Sequence, residues 1–194
     1  MTARLALPFA LLMLYATGAY AHEATGLAGG FTSGFMHPLL GADHVAAMVA
    51  VGLWGAVLGG SAIWLLPVVF PLVMAFGGAL GVLGIPLPSV EVGIALSALV
   101  LGCMVFFAAR PPLWAAAIIV GLFAVFHGHA HGTELPEAAS PLAFSIGFVL
   151  ATGLLHLCGI LLSLLSRWRA GRAVVRGGGA IIALAGALFL LRAF

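Results

Sequence analysis

Between Arg4 and Arg110 the only formally charged residues are Glu23, Asp43 and Glu91, and the sequence between them is a succession of long apolar runs. The whole chain is 64% hydrophobic and 6% charged, where a soluble domain carries about 25% charged residues. A soluble fold of 194 residues has too little interior to hide that much apolar surface, so lipid is the solvent. In lipid every backbone amide and carbonyl must be satisfied internally. The alternating pattern of barrel strands is absent. The expected fold class is therefore an all-α membrane protein.

The first 21 residues read as a cleaved signal peptide, with an uncleaved signal anchor as the alternative: Arg4 precedes a short apolar core over residues 5–15, and an A-x-A site follows at Ala19, Tyr20 and Ala21. The expected organisation is signal peptide 1–21 followed by a single domain over 22–194. That domain is a polytopic bundle of six transmembrane helices at about 34–58, 62–84, 90–109, 112–131, 141–165 and 173–192. Each run is about long enough to cross a ~30 Å hydrocarbon core at 1.5 Å per residue. For span one, Pro38 suggests a helix that starts there and leaves His37 on irregular backbone just outside it. Asp43 and His44 then fall in its second turn. Residues 26–34 are left open between a re-entrant approach and an extension of the helix.

All seven basic residues are arginine. With the mature N-terminus outside, the inner loops hold Arg110 and then Arg167, Arg169, Arg172 and Arg176, only Arg192 falls on the outer side, and the outer loops hold Glu91, Glu134 and Glu137. This is the positive-inside pattern, and it agrees with the signal peptide. It places the chain in a bacterial inner membrane with a periplasmic N-terminus. Trp54, Trp64, Trp114 and Trp168 lie near span ends, as interfacial anchors do. The pairs Gly55 and Gly59, Gly77 and Gly81, and Gly93 and Ser97 have the small-xxx-small spacing of close helix packing. Cys103 and Cys158 are far apart inside apolar runs and read as packing residues. The formal charge of +2 gives no basic face for nucleic acid.

Ionisable groups are costly in a membrane and are functional candidates by default. Here they cluster. One run is HPLLGADH over residues 37–44; the other is FHGHAHGTE over residues 126–134. At about 100° per residue, His127 and His131 share a face, and Glu134 returns to within ~20° of His127 if the helix continues. His129 points to the opposite side and ranks lower. A continuous helix would hold His37 and His44 roughly 10 Å apart along its axis, too far for one ion. Glu91 begins span three at the same outer level. Imidazoles with a few carboxylates suit Ni(II), Co(II) or Zn(II) rather than Ca(II) or Mg(II), and no thiolate set for Cu(I) is present. Cleavage after Ala21 would add a free α-amine beside His22. His156, alone in span five, reads first as a packing or hydrogen-bonding residue that lies along the path.

These two motifs resemble those of the HupE/UreJ family of membrane proteins, associated with nickel hydrogenase and urease systems, over essentially the whole chain. The resemblance implies a secondary nickel permease, with cobalt in some members. It implies roles for His37, Asp43 and His44 from the first motif and for His127, His131 and Glu134 from the second. Glu91 stands where the family tends to place an acidic residue. The first motif also resembles the His-x4-Asp-His signature of a separate nickel/cobalt transporter family, but the spacing here is His-x5-Asp-His.

The expected function is secondary or facilitated uptake of nickel, with cobalt as the alternative cargo. An accessory or sensor protein that binds metal without moving it is the other alternative. No catalytic residue and no prosthetic group is expected; the ion is cargo, and the partners are that ion and the bilayer, with a homo-oligomer left open. A Walker motif and an H-E-x-x-H protease motif are both absent from the sequence. Carboxylates beside the histidines argue against haem ligation.

Overall fold

A computed structural model describes residues 26–133 and 140–193, with side chains from residue 29 onward. Seven α-helices and one short 3-10 turn make up these residues: α1 (Gly26–Leu40), α2 (Ala42–Leu58), α3 (Ala62–Val82), α4 (Val90–Phe106), α5 (Leu113–Thr133), α6 (Pro141–Ser163), the turn (Leu164–Arg167) and α7 (Arg169–Arg192). No strand occurs among them. The signal segment, His22, Glu134 and Glu137 lie outside the described residues.

The helices begin and end for local reasons. Ser140 caps α6 by accepting from the Ala143 amide at 3.4 Å, and Pro141 takes the first helical position, where its missing N–H costs nothing. Gly59 ends α2 with φ 75, a left-handed backbone that favours glycine, and a Cβ there would meet open space. Gly59 is thus a turn residue rather than the helix-packing residue its spacing suggested.

α3, α5, α6 with its following turn, and α7 are each long and apolar enough to cross a membrane. α1 and α2 pass that test only as a pair, bent by 79° at their junction, which makes a fifth crossing if the pair is one span. α4 has 17 residues, about 26 Å at 1.5 Å per residue, and falls short. The described residues are all-helical, and four to five spans among them meet that test, where six were expected. The first expected span is in fact two helices, and Pro38 does not start one. It lies inside α1, while the break falls at Gly41, whose ψ of 107 is extended. His37 is accordingly helical, and Asp43 and His44 sit in the first turn of α2 rather than the second. The stretch 26–34 belongs to α1.

α2 forms the centre, packed by α3, α4, α6 and α7. Residues 46–55 of α2 are all buried, as a helix surrounded by others requires. Trp54 is among them, fully buried and donating from Nε1 to the Ala109 carbonyl at 3.0 Å; it is a core residue and not an interfacial anchor. Trp64, Trp114 and Trp168 are exposed, at 66%, 68% and 62%, which fits the interfacial reading. Cys158 is exposed on α6 and does not pack in the core. α7 starts earlier than expected, so Arg169 and Arg172 are helical. Arg176 donates to the Phe106 carbonyl at 2.7 Å and lies 5.7 Å from the centre of that ring. This satisfies a carbonyl at the end of α4 and draws Arg176 to the end of the bundle that carries Arg110.

The most extensive helix contact is that of α3 with α5. Gly128 and Gly132 of α5 lie directly on the α3 backbone: a Cβ on either would collide with the Met74 or the Gly78 carbonyl. This approach holds the histidine-bearing end of α5 in place.

Candidate functional site

The bend at Gly41 gathers the histidines. Ring centroids of His37 and His131 lie 4.7 Å apart, those of His44 and His131 4.5 Å, those of His44 and His127 4.8 Å, and those of His37 and His44 6.3 Å. Four imidazoles from three helices thus form one contiguous group. A straight helix would have held His37 away from His44; two helices meeting at 79° remove that obstacle. A Cβ at Gly41 would come within 2.8 Å of His44 Nδ1 and 3.0 Å of Asp43 Oδ1, so the close approach of these side chains calls for glycine at the bend.

Partners that can only accept determine where two of the rings carry their protons. His44 Nδ1 lies 2.7 Å from Asp43 Oδ1, and the same oxygen accepts the His44 backbone amide at 2.8 Å. An ionised carboxylate only accepts, so Nδ1 bears the hydrogen and neutral His44 keeps its lone pair on Nε2. That nitrogen is buried and without a partner. Asp43 thus stands behind His44 as second-layer carboxylates stand behind metal-ligating histidines.

His127 follows the same logic through a hydroxyl. Ser97 donates its single hydrogen to the Ile94 carbonyl at 2.6 Å. Its 2.8 Å contact with His127 Nε2 must therefore be one in which the ring donates and the hydroxyl accepts. The lone pair of neutral His127 falls on Nδ1, which is fully buried and unpartnered. His131 Nδ1 and His37 Nε2 share a hydrogen bond of 3.0 Å, leaving His131 Nε2 buried without a partner. Buried polar atoms are normally paired, so three unpartnered imidazole nitrogens in one group are unusual. Phe144 and Phe148 close its side, with Phe148 4.3 Å from the His131 ring centre.

The remaining expected residues divide. His129 turns away, as its spacing predicted, and donates from Nε2 to the Ile85 carbonyl at 2.8 Å in the loop between α3 and α4. That bond ties down a loop and takes His129 out of the group. Glu91 sits exposed in the first turn of α4 and lines, with Asp43 and Arg192, a cavity of about 210 Å³ beside the histidines. His156 is buried on α6, apart from the four clustered rings, with its own ring 5.5 Å from that of Phe70. Glu134 and His22 lie outside the described residues. Among the described residues, no three donors from His, Cys, Asp and Glu converge closely enough to hold one ion as the side chains stand. The group is an array of adjacent donors.

Three contributors escaped sequence reasoning. Ser97 was visible only as the partner of Gly93 in a small-xxx-small pair, although a hydroxyl within a span is itself a signal. Arg192 stood out only as the one arginine on the outer side. Phe70, one of many apolar residues, carried no signal at all.

Residues 10–189 match the HupE / UreJ protein family. The chain belongs to that family. It is 48% identical, over 172 residues, to Protein HupE of Rhizobium leguminosarum bv. viciae, an alignment covering 88% of this chain and 90% of that protein. No solved structure matches. Both motifs through which the chain resembles HupE/UreJ proteins supply rings to the four-imidazole group: His37 and His44 from the first, His127 and His131 from the second.

Proposed function

We propose that the chain is a secondary or facilitated importer of nickel ions across the bacterial inner membrane, supplying nickel enzymes such as hydrogenase or urease. The observation that carries this reading is the pair of buried nitrogens, His44 Nε2 and His127 Nδ1, whose protons are held on the opposite ring atoms by Asp43 and Ser97. Such lone pairs suit a borderline divalent ion. Membership of the HupE/UreJ family supports the same reading. In this scheme the histidine group faces the periplasm and the ends bearing Arg110 and Arg176 face the cytoplasm. Glu91 and Asp43 draw the cation into the cavity they line, with α4 as a short sixth crossing accommodated by local thinning of the bilayer. The ion then passes among His37, His131, His44 and His127, with Glu134 as a further carboxylate. Small rotations of the rings bring the donors onto it.

Cells expressing the protein should accumulate radiolabelled nickel above cells that lack it. Unlabelled cobalt competing better than unlabelled nickel would reassign the cargo. Metal bound by the purified protein with no accumulation in cells would replace the importer with an accessory or sensor protein.

Protons and metal compete for the same imidazole lone pairs. Uptake should therefore fail at acidic pH, once protons displace the metal from these nitrogens. A rate that rises as the pH drops well below the ordinary histidine range would contradict binding by neutral histidine.

Replacing Ser97 with alanine removes the acceptor that holds the His127 proton on Nε2. Nickel affinity of the purified protein, measured by equilibrium dialysis, should weaken by about tenfold. Unchanged affinity would take His127 out of the ligand set.

A further inference from the structure

Deeper in the bundle, His156 of α6 is 1% exposed and makes no hydrogen bond through either ring nitrogen. Thr152, four residues earlier on the same helix and so on the same face, is fully buried with its hydroxyl oxygen also unpartnered. Among the described residues, the six buried side-chain polar atoms without partners are these three and the three of the histidine group. A buried polar atom left unpaired is costly, so two sets of them in one small bundle call for an occupant.

α3 supplies a third donor. Pro71 has no N–H, so the Pro67 carbonyl loses the helical bond it would receive from four residues on. That carbonyl lies beside the His156 ring, outside the geometry of a formed hydrogen bond. Phe70 stands between the two levels. It is fully buried, and its ring centre lies 5.5 Å from that of His127 on one side and 5.5 Å from that of His156 on the other. The rings of His131, His44, His127, Phe70 and His156 thus form an unbroken series of contacts from the end of α5 into the middle of α6. His156 lies about 22 Å along the α6 axis from Pro141 at 1.5 Å per residue.

We infer that His156, the Thr152 hydroxyl and the Pro67 carbonyl form a second, inner station for a divalent transition-metal ion, reached from the outer histidines past the ring of Phe70. One imidazole and two neutral oxygens make a weaker site than the outer group, which suits a station that must release its ion onward. Phe70 leaves no polar contact between the levels, so its ring must swing aside for each passage. The inference rests on the importer reading.

The test compares wild type with His156→Gln and His156→Leu in proteoliposomes loaded with a nickel-sensitive fluorescent chelator, and measures nickel binding of each purified protein by equilibrium dialysis. Glutamine offers the Pro67 carbonyl an amide donor but is a poor ligand for nickel; leucine is neither a donor nor a ligand. Both variants should bind nickel with affinity near that of wild type, through the outer group. Both should lose uptake by about tenfold or more, glutamine no less than leucine. Uptake restored by glutamine alone would reduce His156 to a hydrogen-bonding brace, and uptake retained by leucine would leave it no role. Weak outer binding in both variants at normal protein yield would make His156 part of the outer structure and overturn a separate station. Failure of the wild type itself to move nickel would instead remove the importer reading, and the inner station with it.

Discussion

Asp43→Asn should lower nickel uptake by about 10- to 100-fold, the usual cost of losing a carboxylate behind a metal-binding histidine, with the amount of protein in the membrane unchanged. The carboxylate has three effects at one position. It holds the His44 ring by a 2.7 Å bond, keeps the proton on Nδ1 so that Nε2 faces inward as a lone pair, and lends negative charge to the cavity it shares with Glu91. Asparagine retains the shape but loses the charge. Its amide can turn a donor toward Nδ1, which lets His44 move its proton to Nε2 and hides the lone pair. His44→Ala should lose at least as much, since it removes the ligand outright. Uptake assays at matched protein level decide the matter, and wild-type rates in Asp43→Asn would dismiss the tautomer argument.

The second large effect concerns stability. Gly128→Ala places a methyl group against the Met74 backbone carbonyl, where no side-chain rotation relieves the clash. α3 and α5 must separate or slide, which breaks their interface and displaces His127 and His131 together. Destabilisation on the order of 3 kcal/mol is expected, at the upper end for overpacking. It should appear as a lowered melting temperature of the purified protein and reduced yield in membranes. Gly153→Ala is the control on a neighbouring helix, because a Cβ there meets nothing within 4 Å; alanine should be neutral or slightly stabilising. Equal melting temperatures for wild type and Gly128→Ala would mean that the two helices are not held by this approach.

The period of an α-helix was enough to separate His127 and His131 from His129, and the structure turns His129 away to Ile85 as the spacing implied. The same reasoning misplaced the break in the first span. Pro38 is a strong local signal, yet proline's fixed φ is compatible with a helix and costs mainly one hydrogen bond. Lipid and neighbouring helices tolerate that loss, while Gly41, with no Cβ, allows both the extended backbone and the close approach of His44 and Asp43. Trp54 shows the same limit from the other side. Its place near a span end suggested the interface, but α2 is enclosed by four helices and the Ala109 carbonyl gives its indole a buried partner.

Hydropathy, charge and period belong to the chain itself, and through them the sequence alone determined that this is an all-helical membrane protein and which few polar residues needed explaining. What the tertiary structure decided was their relation to one another. Ser97 meets His127 across 30 positions of sequence, and His37 meets His131 across 94. Whether a ring nitrogen is a donor or a lone pair depends on the atom beside it in space. That neighbour is chosen by the bend at Gly41 and by the glycine contacts that seat α5 on α3, and it is therefore a property of the packed bundle rather than of any local pattern in the sequence.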